Sequence, residues 1–329
     1  MFLVDAIPKV FVYRLTLAAL TVLVLLTLAS QFGQFVYLEL TTHFRLQYVL
    51  ASLVCAIVLV AFQSWKFLPI AIFCAVINAV YLGPYLRTNP APPQITGVRV
   101  RLLHANVLKG NTNYQAVLDL VNEANADVVV LQEFTEDWSE HTQELRVKYP
   151  YFSVEPRLQG AGMAIFSRYP YEELQALKLD DSTHLAILAR LKLAGTTLSV
   201  LSMHPPTPIT PAKFRNRNQQ FSEAAELLKQ TGGPKVLIGD LNITMWSPYF
   251  KTLIQNSGLR DSRSGLGLYP TWPMPLPSFL RLPIDHCLVS SDIQVNGFQI
   301  GSRTGSDHRP IIVDLTIAGP PASSPAGSR

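Results

Sequence analysis

Residues 236–242 read VLIGDLN. The apolar run Val236-Leu237-Ile238 suits a short buried strand, and Gly239 begins a tight turn that carries Asp240 and Asn242. Alone, such a tip is an ordinary turn. The same arrangement recurs along the chain, and the recurrence decides the reading. Asn106 closes an alternating run, Glu133 follows VVVLQ (128–132), and His204 follows LSVLSM (198–203). Asp285 follows LPI (282–284), and Asp307-His308 precede PIIV (310–313). Strand ends of a packed sheet converge on one rim, so these groups are expected to build one site.

Outward from these tips, the patterns predict strands over 98–107, 128–131, 162–167, 236–238, 284–290, 293–300 and 310–316. A hairpin is predicted over 184–193 and 196–203, turning at Ala194-Gly195. Helical spacing marks 114–124, 136–148 and 212–230. Ser247, Pro248 and Gly258 bound a further helix as cap, first residue and stop. Hairpin-joined strands mixed with helices predict an α/β sandwich of two packed sheets with helices outside.

Composition divides the chain. Of its 329 residues 48% are apolar and 15% charged, against about 25% charged in an ordinary soluble domain. Apolar runs at about 10–29, 44–62 and 67–86 approach the roughly 20 residues that cross a bilayer and predict a transmembrane anchor over 1–87. Lys9, Arg14 and Lys66 flank one side of these spans, Arg45 and Arg87 the other. That bias puts the N-terminus inside and residues 88–329 outside the cytoplasm. Pro-rich residues 88–97 read as a stiff linker, 98–317 as the catalytic domain and 318–329 as a disordered tail. Residues 88–329 hold 22 basic and 21 acidic residues, without the clear positive excess expected of a domain that grips nucleic acid by charge. Cys55, Cys74 and Cys287 show no zinc spacing, and Cys287 stands alone in the polar part.

Carboxylates, an asparagine and two histidines at successive strand ends supply oxygen ligands for a hard cation such as Mg²⁺. Joined to an Asp–His pair, such a cation suits hydrolysis at phosphorus. The ordered segments LHANV, VVVLQE, GMAIFSR, SMHPP, LIGDLN, IDHCLVS and GSDHRPIIV resemble the endonuclease/exonuclease/phosphatase superfamily, the deoxyribonuclease-I-like proteins. Among bacterial members the chain is similar to those with a few N-terminal spans, which implies an inner-membrane protein. The resemblance implies a four-layer αββα sandwich and a Mg²⁺- or Mn²⁺-dependent phosphoesterase.

By the same resemblance, Asn106, Glu133 and Asp307 form the metal side. Asp240 and Asn242 position or deprotonate water, His308 is the catalytic histidine oriented by Asp285, and His204 binds a phosphoryl oxygen or protonates the leaving group. His286 adjoins Asp285 but points to the opposite face, and His104 reads as structural support.

Two segments are candidate site walls. Residues 213–219 (KFRNRNQ) offer Arg215 and Arg217 to a phosphate, or simply begin a solvated helix. The aromatic, Pro-rich stretch 269–283 is either a rim loop that stacks bases or touches lipid, or a packed loop without a ligand. Substrates in view are a lipid head group, a small phosphoester or, for a membrane-associated nuclease, DNA or RNA. A non-catalytic scaffold is the remaining alternative, and it has no need of the full acidic and histidine set. Nothing in the sequence points to an obligate protein partner.

Overall fold

The computed structural model describes residues 2–87, 95–157, 162–180 and 184–318. Most of the predicted linker and all but the first residue of the predicted tail lie outside these. At their edges, Gly97 already belongs to the first strand and Ala318 to the last.

Four helices come first: α1 (Phe2–Ala29), α2 (Val36–Thr42), α3 (Arg45–Ala61) and α4 (Leu68–Leu86). Lys9–Phe32 and Leu68–Leu86 are long and apolar enough to cross a membrane, and α2 with α3, bent by 62°, makes a third candidate. Asn78, a polar residue within the third predicted span, is explained by Arg45. Both are buried in the bundle, and the guanidinium donates to Asn78 Oδ1 (2.9 Å), Ser30 Oγ (2.7 Å) and Ser30 O (2.7 Å). Such a group is expected to face the bundle interior.

The remaining chain forms two six-stranded sheets. The elements run β1 (Gly97–Asn106), α5 (Tyr114–Ala124), β2 (Val128–Gln132), α6 (Glu136–His141), α7 (Leu145–Lys148), β3 (Tyr151–Glu155), β4 (Met163–Ser167) and β5 (Tyr171–Leu177). They continue β6 (Ala186–Leu193), β7 (Thr196–Met203), α8 (Pro211–Gln230), β8 (Lys235–Asp240), α9 (Pro248–Ser257), β9 (Arg260–Asp261), β10 (Asp285–Val289), β11 (Ile293–Ile300) and β12 (Ile311–Ala318). One sheet has the order β11-β12-β1-β2-β4-β3, the other β5-β6-β7-β8-β10-β9. Within them β1–β2 and β7–β8 are parallel.

Strand alternation builds the layers. Leu102, Val128, Val130, Ile187, Val200, Val236, Ile238 and Cys287 meet between the sheets. Their neighbours Leu103, Val129 and Leu131 point outward, against Val117 and Val121 of α5 and Trp138 of α6. On the second sheet Leu201, Leu237 and Leu288 pack under Phe221 and Leu228 of α8 and Phe250 of α9. This is the expected αββα sandwich, with α4 adding Leu82 and Tyr85 to its α8–α9 side.

The differences from the sequence reading have local causes. The helix predicted over 136–148 is broken in two, with Thr142 leaving the helical conformation (φ −115°) as the C-cap of α6. Strands β3 and β5 carry no strand signal of their own, being edge strands whose residues are mostly exposed or half-buried. Helix α2 is seven residues long, too short to show a period.

The N-terminal helices are fastened to the sandwich by polar contacts. Glu39 of α2 is fully buried and accepts from Arg217 Nη2 (2.6 Å) and Ser247 Oγ (2.6 Å). Close by, His43 Nδ1 meets Thr244 Oγ1 (3.0 Å), and Tyr249 donates to Gln34 O (2.9 Å).

Candidate active site

The site forms where the inner rows of both sheets end together. Asp240 on β8 and Asp285 on β10 are directly paired across the antiparallel ladder. On the facing sheet, Asn106 of β1 pairs with Gln132 of β2. Gln132 bridges the sheets: its amide donates to Met203 O (2.9 Å), and its carbonyl accepts from Asp240 N (2.9 Å). Only a glycine fits beside this bridge. At φ +155°, a Cβ on Gly239 would stand 2.2 Å from Met203 O and 2.5 Å from Gln132 Nε2.

Asp285 lies between two imidazoles. His104 Nε2 donates to Asp285 Oδ1 (2.9 Å) and His308 Nδ1 donates to Asp285 Oδ2 (2.9 Å). The second nitrogen of His308 then faces Asp240 Oδ2 at 3.5 Å, and His204 Nε2 faces the same oxygen at 3.5 Å. Asp240 Oδ1 accepts from Asn242 N (2.9 Å). Asn242 in turn holds the loop after His204, its amide donating to Pro205 O (3.0 Å) and its carbonyl accepting from Thr207 Oγ1 (3.1 Å).

On the other side, Asn106 Nδ2 donates to Glu133 Oε1 (3.0 Å) and Asp240 Oδ2 (3.3 Å), joining the two carboxylates. Glu133 also accepts from Lys109 N (3.1 Å). Ser306 pins the Asp307-His308 turn, donating to Asn106 O (2.7 Å) and accepting from His308 N (3.1 Å). Trp272 Nε1 donates to Asp307 Oδ2 (3.0 Å), while Asp307 Oδ1 is buried with no hydrogen-bond partner among the described residues. Glu133 (φ 58°) and Asn242 (φ 51°) both sit in the left-handed region, a conformation that costs about 1–3 kcal/mol and collects at functional sites.

Burial and charge set the protonation states. Burial would raise the carboxyl pKa of Asp240 and Asp285, but His308, with the hydrogen bonds of His204 and His104, outweighs it and lowers both. For His308, burial is overcome by Asp285 and Asp240, which push its pKa up to about 10. His204 is raised as well, chiefly by Asp240 acting against burial. Two ionised carboxylates thus face the protonated imidazole of His308. Among the described residues, Asp240, Asp285 and His308 also offer ligand atoms within 4.8 Å of one another, close enough to hold a metal ion.

Nearly all the strand-end residues named from the sequence meet here: Asn106, Glu133, His204, Asp240, Asn242, Asp285, Asp307 and His308. Two expectations change. Asn106 uses its amide oxygen to accept from Leu108 N (3.0 Å), so it presents N–H groups to the carboxylates and braces the metal side. Arg217, read as a phosphate contact or part of a solvated helix start, is neither: its guanidinium is fully buried and paired with Glu39; Arg215 is exposed on α8. His286 points away from the site, as alternation requires, with Nε2 donating to Ile243 O (2.7 Å) and Nδ1 accepting from Arg263. Sequence reasoning gave Gln132 and Trp272 no role. No periodicity reports such contacts between distant segments, but both residues stand inside motifs already singled out.

These shifts set a pH profile for stability. His286 is lowered to about 3 by burial and Arg263, from an ordinary 6.5. Its contribution is therefore complete above about pH 6.5 and falls as pH drops towards 3. Asp240 and Asp285, both lowered, weaken the acid side in the same direction. His308, raised to about 10, contributes fully below about pH 6.5 and loses that contribution as pH rises through 10. We expect the Tm of the detergent-solubilised chain to fall on both sides of about pH 6.5. His308→Gln should flatten the alkaline fall; an unaltered fall in that variant would assign it to other groups.

Comparison with known proteins agrees with this geometry. The model of the Endonuclease/Exonuclease/phosphatase family matches residues 103–308. D. rerio TDP2 humanized by 14 mutations aligns with a TM-score of 0.57 at 16% identity, covering 66% of this chain and 99% of that one. An endonuclease/exonuclease/phosphatase from Beutenbergia cavernae aligns with a TM-score of 0.54 at 18% identity, covering 68% and 73%. A family protein from Bacteroides thetaiotaomicron gives 0.55 at 18% identity, covering 68% and 99%. At such identities these structures show the fold alone, and no curated protein sequence matches the chain. The family match takes in more than half of the chain and every residue of the strand-end cluster, and the chain belongs to the endonuclease/exonuclease/phosphatase family.

Proposed function

We propose that the chain is a membrane-anchored, divalent-cation-dependent phosphoesterase that hydrolyses its substrate by in-line attack of water at phosphorus. The observation that carries the reading is the chain of contacts from His104 through Asp285 to His308, with Asp240 3.5 Å from the far nitrogen of that ring. Ordinary turns do not require two buried carboxylates and three imidazoles in one cluster.

The roles follow from the charges. Asp285 is spent on two imidazoles, so it orients His308 and stabilises its charged form. The His308 imidazolium presents Nε2–H towards a non-bridging phosphoryl oxygen. Asp240, ionised and fixed by Asn242 N and Asn106, accepts a proton from the attacking water. As the new P–O bond forms and the leaving-group bond breaks, His204 returns a proton to the departing oxygen. Glu133 and the unpartnered Asp307 oxygen are hard donors, and they suit Mg²⁺ or Mn²⁺. When bound, such a cation neutralises charge on the phosphoryl and leaving oxygens.

Helices α1, α3 and α4 support anchoring in a membrane. Tyr13 and Ser64 pair at 2.8 Å at one end of the bundle, and the sandwich sits at the other, beside Glu39 and His43. With the N-terminus inside, three crossings put the sandwich outside the cytoplasm.

The test is hydrolysis of bis(p-nitrophenyl) phosphate by the purified full chain, with plasmid DNA assayed in parallel. We expect release of nitrophenol with Mg²⁺ or Mn²⁺, loss of activity with EDTA, and restoration by added cation. Undiminished activity in EDTA would reject the cation, and absence of any turnover would reject the phosphoesterase. Efficient, salt-sensitive DNA cleavage would favour the nuclease alternative instead.

A further inference from the structure

The aromatic, Pro-rich loop before β10 reaches from the catalytic cluster to the anchor. At one end it meets Asp307, through Trp272 Nε1 to Oδ2 (3.0 Å) and Met274 N to Asp307 O (2.8 Å). At the other end, Gln47 in the first turn of α3 donates to Phe279 O (3.0 Å) and Arg281 O (3.3 Å). Between these fixings the loop turns three apolar side chains outward: Leu276, Phe279 and Leu280 are 40%, 51% and 41% exposed. A water-facing loop has no use for such a cluster so close to an active site.

Its height relative to the bundle matters. On α3 the exposed apolar face begins at Leu53 and continues through Val54, Ile57 and Val60. Gln47 lies six residues earlier, about 9 Å along the axis at 1.5 Å per residue. If Leu53 and its followers face acyl chains, the loop lies at the depth of the lipid head groups. The same rim is positively charged. Arg281 is buried and donates to Leu276 O (2.6 Å), Arg309 donates to Gly301 O, and Arg303 is exposed. Cations gathered at a membrane surface favour anionic lipid.

We propose that the loop of Leu276, Phe279 and Leu280 rests in the head-group layer, and that the substrate is a phospholipid whose phosphoester enters the site along the bilayer surface past Arg281 and Arg303. This rests on the phosphoesterase reading above and narrows it to one substrate class. The apolar side chains hold the mouth at the surface, and the arginines select negatively charged head groups. Soluble nucleic acid would have to approach the same mouth from a face already covered by lipid.

Two phosphodiesters with the same leaving group test this. The full chain, reconstituted into phosphatidylglycerol-containing vesicles, is given methyl p-nitrophenyl phosphate or hexadecyl p-nitrophenyl phosphate. We expect kcat/KM for the hexadecyl ester to exceed that for the methyl ester by about 100-fold, as an anchored chain concentrates substrate at the surface. The double substitution Phe279→Ser, Leu280→Ser should lower the hexadecyl rate by about tenfold or more and leave the methyl rate unchanged. Equal rates on the two esters, or a double variant that changes both alike or neither, would overturn the proposal while leaving the phosphoesterase intact. Failure to cleave either ester would instead remove the phosphoesterase itself.

Discussion

His308→Gln is expected to lower kcat by about 10²–10⁴-fold, the usual scale of a positioned acid or base, with little change in KM. The glutamine can still bond to Asp285, so the buried carboxylate keeps a partner and the fold is preserved. What disappears is the positive charge between Asp285 and Asp240, which lowers both of their pKa values. Asp285→Asn should be milder in rate but more revealing in its pH profile. Without that carboxylate His308 loses its main support against burial, so the alkaline limb of kcat should move towards neutral pH. Steady-state kinetics from pH 5 to 10 on a chromogenic diester would check both. A His308→Gln enzyme with wild-type kcat would show that the imidazole takes no part in the reaction.

The second large effect is expected at Arg217, remote from the substrate. Its guanidinium and the Glu39 carboxylate are both fully buried, 2.6 Å apart. Arg217→Met leaves the buried Glu39 carboxyl group with Ser247 Oγ as its remaining side-chain partner, and breaking a buried pair costs about 3–5 kcal/mol. The double variant Glu39→Gln, Arg217→Met should recover much of that loss, because no lone charge remains. Glu39, Ser247, His43 and Thr244 together clamp residues 242–247, the segment that leads directly from Asp240 and Asn242. Arg217 also approaches Asn242 O at 3.5 Å. The single variant should therefore lose kcat as well as Tm. Thermal unfolding of all three variants in detergent provides the cycle, and an Arg217→Met protein as stable as wild type would show that the anchor and sandwich are not joined through this pair.

Arg217 also shows where sequence ceases to be informative. In the run KFRNRNQ both arginines look alike, since a helix start says nothing about what lies opposite. Glu39, the residue that decides, is 178 positions away in a stretch of apolar character. The strand-end cluster was legible for the opposite reason. Its residues stand at the tips of apolar strands, and alternation sets the facing of those within a strand, so His104 and Asn106 fall on one side and Asp285 and His286 on opposite sides. The sandwich was legible from the same strands, except at the edge strands β3 and β5, where half the residues meet water and the apolar pattern fades. Contacts that cross between sheets, such as Gln132 to Asp240 or Trp272 to Asp307, leave no periodic mark. The loop holding Leu276 and Phe279 could be recognised as a site wall, but its link to α3 depends on Gln47, a residue without a motif.

The central claim is that water attacks phosphorus with the help of the Asp–His cluster and a divalent cation. Its most direct measurement is hydrolysis of a p-nitrophenyl phosphodiester by the full chain in ¹⁸O-labelled water with Mg²⁺, followed by mass spectrometry of the products. The account expects one ¹⁸O atom in the phosphate monoester, none in the nitrophenol, and labelled product formed at least about 100-fold more slowly by Glu133→Gln or His308→Gln. Label in the nitrophenol, or undiminished labelling in those variants, would contradict it.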